Sequence, residues 1–163
     1  MSKIHRLISV QQIAAPLEKT WQFFSDPANL MTITPPFLNL AITNEIFGNE
    51  VYPGQIMTYK VRPLFAVAVE WMTEITHVEM GKMFVDEQRK GPYRLWHHQH
   101  HFKTKNDGTE MIDIVHYRLP FSFLGEMVHP LVKKKLQEIF SYRYKKIIDL
   151  FGETGERINL KID

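Results

Sequence analysis

The spacing of apolar residues changes character along the chain. Residues 4–13 read as a first strand. Ala15-Pro16 then opens a helix, because proline is well tolerated at the first helical position. Leu17, Thr20, Trp21 and Phe24 fall on one face of that helix at three- and four-residue spacing, and Asp26-Pro27 ends it. A second short helix is expected over 28–33, stopped by Pro35-Pro36, which forces extended chain. Six strand-like runs follow, at 38–46, 55–62, 67–78, 83–89, 93–103 and 110–119. Gly48-Asn49, Pro53-Gly54, Met80-Gly81, Gly91-Pro92 and Asp107-Gly108 punctuate them. Such close spacing predicts antiparallel hairpins.

From 128 to 151 the period becomes helical. Val128, Leu131, Val132, Ile139, Phe140, Ile147, Leu150 and Phe151 recur at helical spacing, with Pro130 expected in the first turn and Gly152 as the stop. A six-strand meander exposes an apolar face, and only this helix is large enough to cover it. The expected fold is therefore α+β. A curved antiparallel sheet of about seven strands wraps a long C-terminal helix, with two short helices after the first strand. Residues 1–152 form one domain, and 153–163 are a polar tail that frays or adds a short edge strand.

Composition narrows the function classes. Hydrophobic residues are 44% and charged residues 23%, ordinary values for a globular domain. There is no cysteine, so disulfides, thiolate catalysis and Cys-ligated zinc are excluded. The net charge is +2, and Lys133, Lys134 and Lys135 form the one basic run, read as a solvated helix face rather than a nucleic-acid site. Residues 1–10 lack the apolar stretch of a signal peptide. No segment approaches the roughly 20 apolar residues that span a bilayer. A cytoplasmic location and no stable membrane insertion are the expectations. Eight methionines and 12% aromatic residues suit an adaptable apolar pocket as well as a core.

The order of elements resembles the START-like (SRPBCC) superfamily, which includes the birch-pollen-allergen type, polyketide cyclases and lipid-transfer START domains. The likeness sharpens at Ile13-Ala14-Ala15-Pro16 and Ile33-Thr34-Pro35-Pro36. It continues through 86–102, with Gly91-Pro92-Tyr93, Trp96, His98, His100 and Phe102, and through 113–120. The resemblance implies a helix-grip fold. It also implies a small stand-alone bacterial domain that binds apolar molecules, lipids among them, between sheet and C-terminal helix.

The densest chemistry is Trp96-His97-His98-Gln99-His100-His101-Phe102. On a strand, Trp96, His98, His100 and Phe102 share one face, bracketed by large rings and so turned inward. His97 and His101, like His116, face solvent. A two-residue turn at Asp107-Gly108 pairs Phe102 with Asp113, His100 with Val115 and His98 with Tyr117. Asp113 is then diagonal to His100 on the same face. For the preceding hairpin the residues allow two registers, Asp86 and Gln88 or Val85 and Glu87 beside His98 and Trp96. The resemblance favours Asp86 and Gln88. Arg143 falls on the apolar side of the long helix and must snorkel outward or meet an acid or a ligand oxygen; Asp113 and Asp86 are the candidate acids. Trp71, Met57, Tyr59 and Val61 are expected to face the same space, with 30–37 at its mouth.

Four readings of this cluster stay open. It is a satisfied polar network fixing strand register, a pocket floor orienting a ligand's polar end, a metal site of His98, His100 and Asp113, or a His–Asp acid–base pair. The expectation is a carrier or sensor of a small hydrophobic or amphipathic molecule. Its ligand contacts are Trp71, Asp86, Gln88, Trp96, His98, His100, Asp113, Tyr117 and Arg143, with no cofactor, no metal and no catalytic residue; a homodimer is compatible with it. The alternatives are a cyclase- or aromatase-like enzyme using the same cavity, and a protein-interaction module without a ligand.

Overall fold

A computed structural model describes residues 3–45, 48–62 and 67–163. Its strands are β1 (His5–Ile13), β2 (Ala41–Ile42), β3 (Ile56–Val61), β4 (Val69–Glu79), β5 (Met83–Lys90), β6 (Leu95–Lys105), β7 (Gly108–Arg118) and β8 (Asn159–Ile162). Its helices are α1 (Leu17–Ser25) and α2 (Ser122–Phe151). The eight strands form one sheet in the order β2-β3-β4-β5-β6-β7-β1-β8, every neighbouring pair antiparallel. The eighth strand is the tail, which pairs with β1. Polar spacing alone left that segment undecided; Asp163, bonded to Arg6, and Lys133, bonded to the Ile162 carbonyl, pin it.

Alternation turns one face of each strand inward. On β1 this buries Leu7 and Ile13 with His5, Ser9 and Gln11. The ladder between β4 and β5 shifts register between Met72 and Thr73 and again between Ile75 and His77. Each shift inserts an unpaired residue and bends the ladder. The inner side chains form two apolar clusters. One gathers Trp21 of α1 with Met57, Ile75, Phe84, Phe102 and Ile147, and the other gathers Leu7, Trp96, Val115 and Tyr117 with Val132, Leu136 and Phe140 of α2.

Several local expectations change. The second short helix is a single 3-10 turn, Pro27–Leu30, capped by Asp26, whose Oδ1 accepts from the Ala28 amide at 2.9 Å. Pro35 is extended, but Pro36–Leu38 winds into another 3-10 turn, so the two prolines do not keep the chain straight. The strand expected over 38–46 pairs only at Ala41–Ile42, and its end at Ile46 lies outside the described residues. Helix α2 starts six residues earlier than its apolar period suggested. Pro130 therefore sits in its third turn, not its first.

The hairpin between β6 and β7 also differs. Lys105 pairs with Gly108, so the turn is Asn106-Asp107 and every partner moves by two residues. Gly108 belongs to the ladder because the Ile13 carbonyl packs where its Cβ would be. Asn106 instead takes the left-handed conformation (φ 52°), which asparagine tolerates better than most residues. A shift of two keeps each side chain on its face. Asp113 is consequently directly opposite His100, His98 opposite Val115, and Trp96 opposite Tyr117.

Candidate functional site

Between the sheet and α2 lies a cavity of about 200 Å3. Met57, Tyr59 and Val61 of β3 line it with Trp71, Thr73 and Ile75 of β4. Leu136, Ile139, Phe140 and Arg143 close it from the helix, and the segment from Asp26 to Thr34 forms its rim. The walls are mainly apolar. Polar groups concentrate where β5 and β6 pass beneath α2, at Asp86, His98 and His100.

Alternation explains the convergence. Asp86 pairs with His98, and Asp113 with His100, all on the inner face. The four side chains close a ring. His98 Nε2 lies 2.9 Å from Asp113 Oδ1, and His100 Nε2 lies 2.7 Å from Asp86 Oδ2. The remaining nitrogens complete the circuit at longer range. His100 Nδ1 is 3.1 Å from Asp113 Oδ1 but out of line for a hydrogen bond, and His98 Nδ1 is 3.4 Å from Asp86 Oδ2. The imidazoles lie close and tilted, 3.7 Å between centroids and 35° between planes, and Phe84 stacks on His100 at 4.1 Å.

Burial alone would raise both carboxyls, yet the flanking imidazoles outweigh it. Asp86 is lowered chiefly by His98 and His100, with help from Arg143. Asp113 falls well below the usual carboxylate range through His100, 3.1 Å away, and the hydrogen bond from His98. The histidines split. Burial and the neighbouring His100 charge push His98 down, whereas two carboxylates hold His100 up despite its burial. The carboxylates thus favour the imidazolium at His100 over that at His98.

Other expected contacts are distributed unevenly. Trp71, Asp86, Trp96, His98, His100 and Arg143 line the cavity. Asp113 stands behind the two histidines. Gln88 clamps the turn, donating to the Tyr93 carbonyl at 2.6 Å and accepting from the Tyr93 amide at 3.2 Å. That clamp holds Tyr93 against Trp96 and Trp71, with centroids 4.8 Å and 5.6 Å away. Tyr117 is fully buried outside the cavity, its hydroxyl 3.0 Å from His129 Nε2. Arg143 meets neither candidate acid. Its guanidinium lies over Phe140, 5.1 Å from the ring centroid, and it makes no ion pair or hydrogen bond among the described residues. His97, His101 and His116 occupy the outer face, where His97 Nδ1 meets Glu87 Oε1 at 2.7 Å.

Two features escaped sequence reasoning. Tyr93 reaches the cavity, and its place after Gly91-Pro92 gave no indication of direction. A second histidine cluster joins β1 to α2. His5 Nε2 is 3.0 Å from Glu126 Oε2, and the His5 and His129 rings stack at 3.6 Å. Its members lie at opposite ends of the chain, so no local pattern marks them.

Asp86, His98 and His100 also offer ligand atoms within 4.8 Å of one another, close enough to hold a cation. Chelation through the two Nε2 atoms would require them to abandon Asp113 and Asp86, which already bond them. The arrangement suits a self-contained network better than a metal centre.

No family model and no curated protein matches the sequence. Solved structures do resemble it. A START superfamily protein from Mycobacterium smegmatis superposes with a TM-score of 0.68 at 13% identity, covering 90% of this chain and 99% of that one. The Mycobacterium smegmatis protein Ms6760 gives 0.64 at 20% identity, covering 89% of each. Ara h 8.0201 gives 0.60 at 15% identity, covering 90% of this chain and 99% of its own. A curved open sheet, a long C-terminal helix gripped by it, and α1 with two 3-10 turns after β1 thus form the helix-grip fold of START-like (SRPBCC) proteins.

Proposed function

We propose that this protein binds a small amphipathic molecule between the sheet and α2, as a carrier or sensor rather than a catalyst. The observation that carries this reading is the cavity itself, apolar on most sides and polar at one patch. Ligand pockets have this composition, apolar walls for affinity and a few placed polar groups for orientation. The volume of about 200 Å3 sets the scale. A cavity of roughly 150 Å3 accepts benzene, so the ligand is on the order of one or two rings or one short chain, not a two-chain lipid.

The His–Asp ring favours binding over cyclase-like catalysis. A general base needs a nitrogen within reach of substrate, and here the imidazole nitrogens face carboxylates. The quartet is better suited to fixing one end of the cavity. This reading places the protein in the cytoplasm, needs no nucleic acid or cofactor, and tolerates a homodimer. An interaction module without ligand is disfavoured because side chains do not fill the interior.

Native mass spectrometry of protein purified without detergent tests the reading, with organic extraction of whatever accompanies the chain. The expected result is one class of small amphipathic compound at near-unit occupancy. Ile139 faces the cavity from α2, so Ile139→Trp should remove that adduct while the far-ultraviolet circular dichroism is unchanged. An adduct that persists in Ile139→Trp would sink the proposal.

A further inference from the structure

Two buried polar atoms of the cavity lining have no hydrogen-bond partner among the described residues: His100 Nδ1, which still faces Asp113 Oδ1 at 3.1 Å, and Arg143 Nε, which pairs with no acid. Asp86 and Asp113 are taken by His98 and His100. On the rim, Asp26 caps the Ala28 amide, Asn29 donates to the Phe23 carbonyl, and Thr34 donates to the Leu30 carbonyl. Arg143 is different. It lines the cavity, and its Nε is buried with no hydrogen-bond partner among the described residues. Its guanidinium carbon lies over the face of Phe140, 5.1 Å from the ring centroid. It is close enough to Asp86 to lower that carboxyl, yet the two form no ion pair.

Arg143 is half-buried with its Nε lacking an acceptor, and an anion in the same space would satisfy it. Guanidinium presents parallel N–H donors in a planar fork that matches a carboxylate. Phe140 lies under the guanidinium carbon, and Ile139, Leu136 and Trp96 supply apolar wall to the same cavity. Building on the binding function proposed above, we infer that Arg143 anchors the carboxylate of a small aromatic or single-chain carboxylic acid, whose hydrocarbon part fills the apolar cavity. The His–Asp quartet is then the rigid wall behind the headgroup and not its counter-ion.

The test uses matched acids and amides of equal size, cinnamate against cinnamamide and decanoate against decanamide, titrated calorimetrically into the full chain. In the wild type each acid should bind about tenfold more tightly than its amide, the worth of one charge-assisted hydrogen-bonded pair. Arg143→Met should bring the two affinities together by weakening the acid and leaving the amide unchanged. Arg143→Lys, which keeps the charge but loses the fork, should retain part of the preference. Amides that equal the acids in wild-type protein overturn the assignment without needing any variant, as does an acid preference that survives in Arg143→Met. If neither member of either pair binds, the binding function itself fails, an outcome distinct from binding both alike.

Discussion

Asp113 is the residue on which the quartet turns. It is 4% exposed and touches both histidines. Asp113→Asn keeps the shape but removes the charge that favours the imidazolium of His100. Breaking a buried ion pair costs about 3 kcal/mol or more, so urea unfolding at neutral pH should show a loss of that order. The pH dependence has a definite sign. Asp113 and Asp86 titrate lower in the folded chain than their usual 3.8, so their contribution is present above that value and is lost as pH falls below it. His100 is raised above its usual 6.5, so its contribution is present below 6.5 and fades as pH rises through its folded value. His98 is lowered and acts oppositely, opposing folding once the pH falls below 6.5. Wild-type stability should therefore drop steeply below about pH 4, and Asp113→Asn should flatten that drop. An unchanged acid limb in the variant would show that the quartet is not the source. The inward set of Trp96, His98, His100 and Phe102 was readable from strand alternation alone. The link of Asp86 to both histidines was not, because two residues on neighbouring strands meet only once the register is known.

At the level of elements, register is where local reasoning gave way. The turn residues of β6–β7 suggested Asp107-Gly108, since Asp-Gly is a strong hairpin signal. Tertiary contact decided otherwise. Gly108 lies against the Ile13 carbonyl of β1, and a Cβ there would collide with backbone that cannot move aside. Gly108→Ala should consequently lower stability by about 1–3 kcal/mol, the range for overpacking, read as a fall in melting temperature. Gly81 offers a comparison of another kind: a Cβ there meets nothing within 4 Å, and only its positive φ of 72° resists substitution. If both alanine variants melted alike, steric contact at Gly108 would not be what holds the register. Helix α2 illustrates the same limit. Its first turns expose Phe123, Leu124 and Met127, so the apolar residues there do not follow the buried stripe. Pro130 added a false boundary. Its missing N–H is tolerated in the third turn because His129 and Val132 beside it are tied to the sheet, through Tyr117 and the second apolar cluster.

Across the whole molecule, the cavity is a deficit that packing has left unfilled. Two apolar clusters hold α2 against the sheet, and the cavity takes lining residues from both, Phe84 and Met57 from one and Phe140 and Trp96 from the other. Cavities in cores cost roughly 24 cal/mol per Å3. At about 200 Å3 the empty space is worth on the order of 5 kcal/mol, an upper figure because natural walls relax. A fold kept for stability alone would gain by closing it, whereas one kept for binding tolerates the loss. Ile139→Trp distinguishes the two. The indole adds apolar contact inside the cavity from a residue that is already half-buried. Ligand-free Ile139→Trp should be more stable than ligand-free wild type by about 1 kcal/mol, measured by urea unfolding. Wild type should regain the difference on saturation with ligand, by about 2.7 kcal/mol at a hundredfold excess over Kd, and the variant should not respond. A variant less stable than the empty wild type would mean that the space is too narrow or too rigid to accept a ring, and the binding function would lose its physical basis.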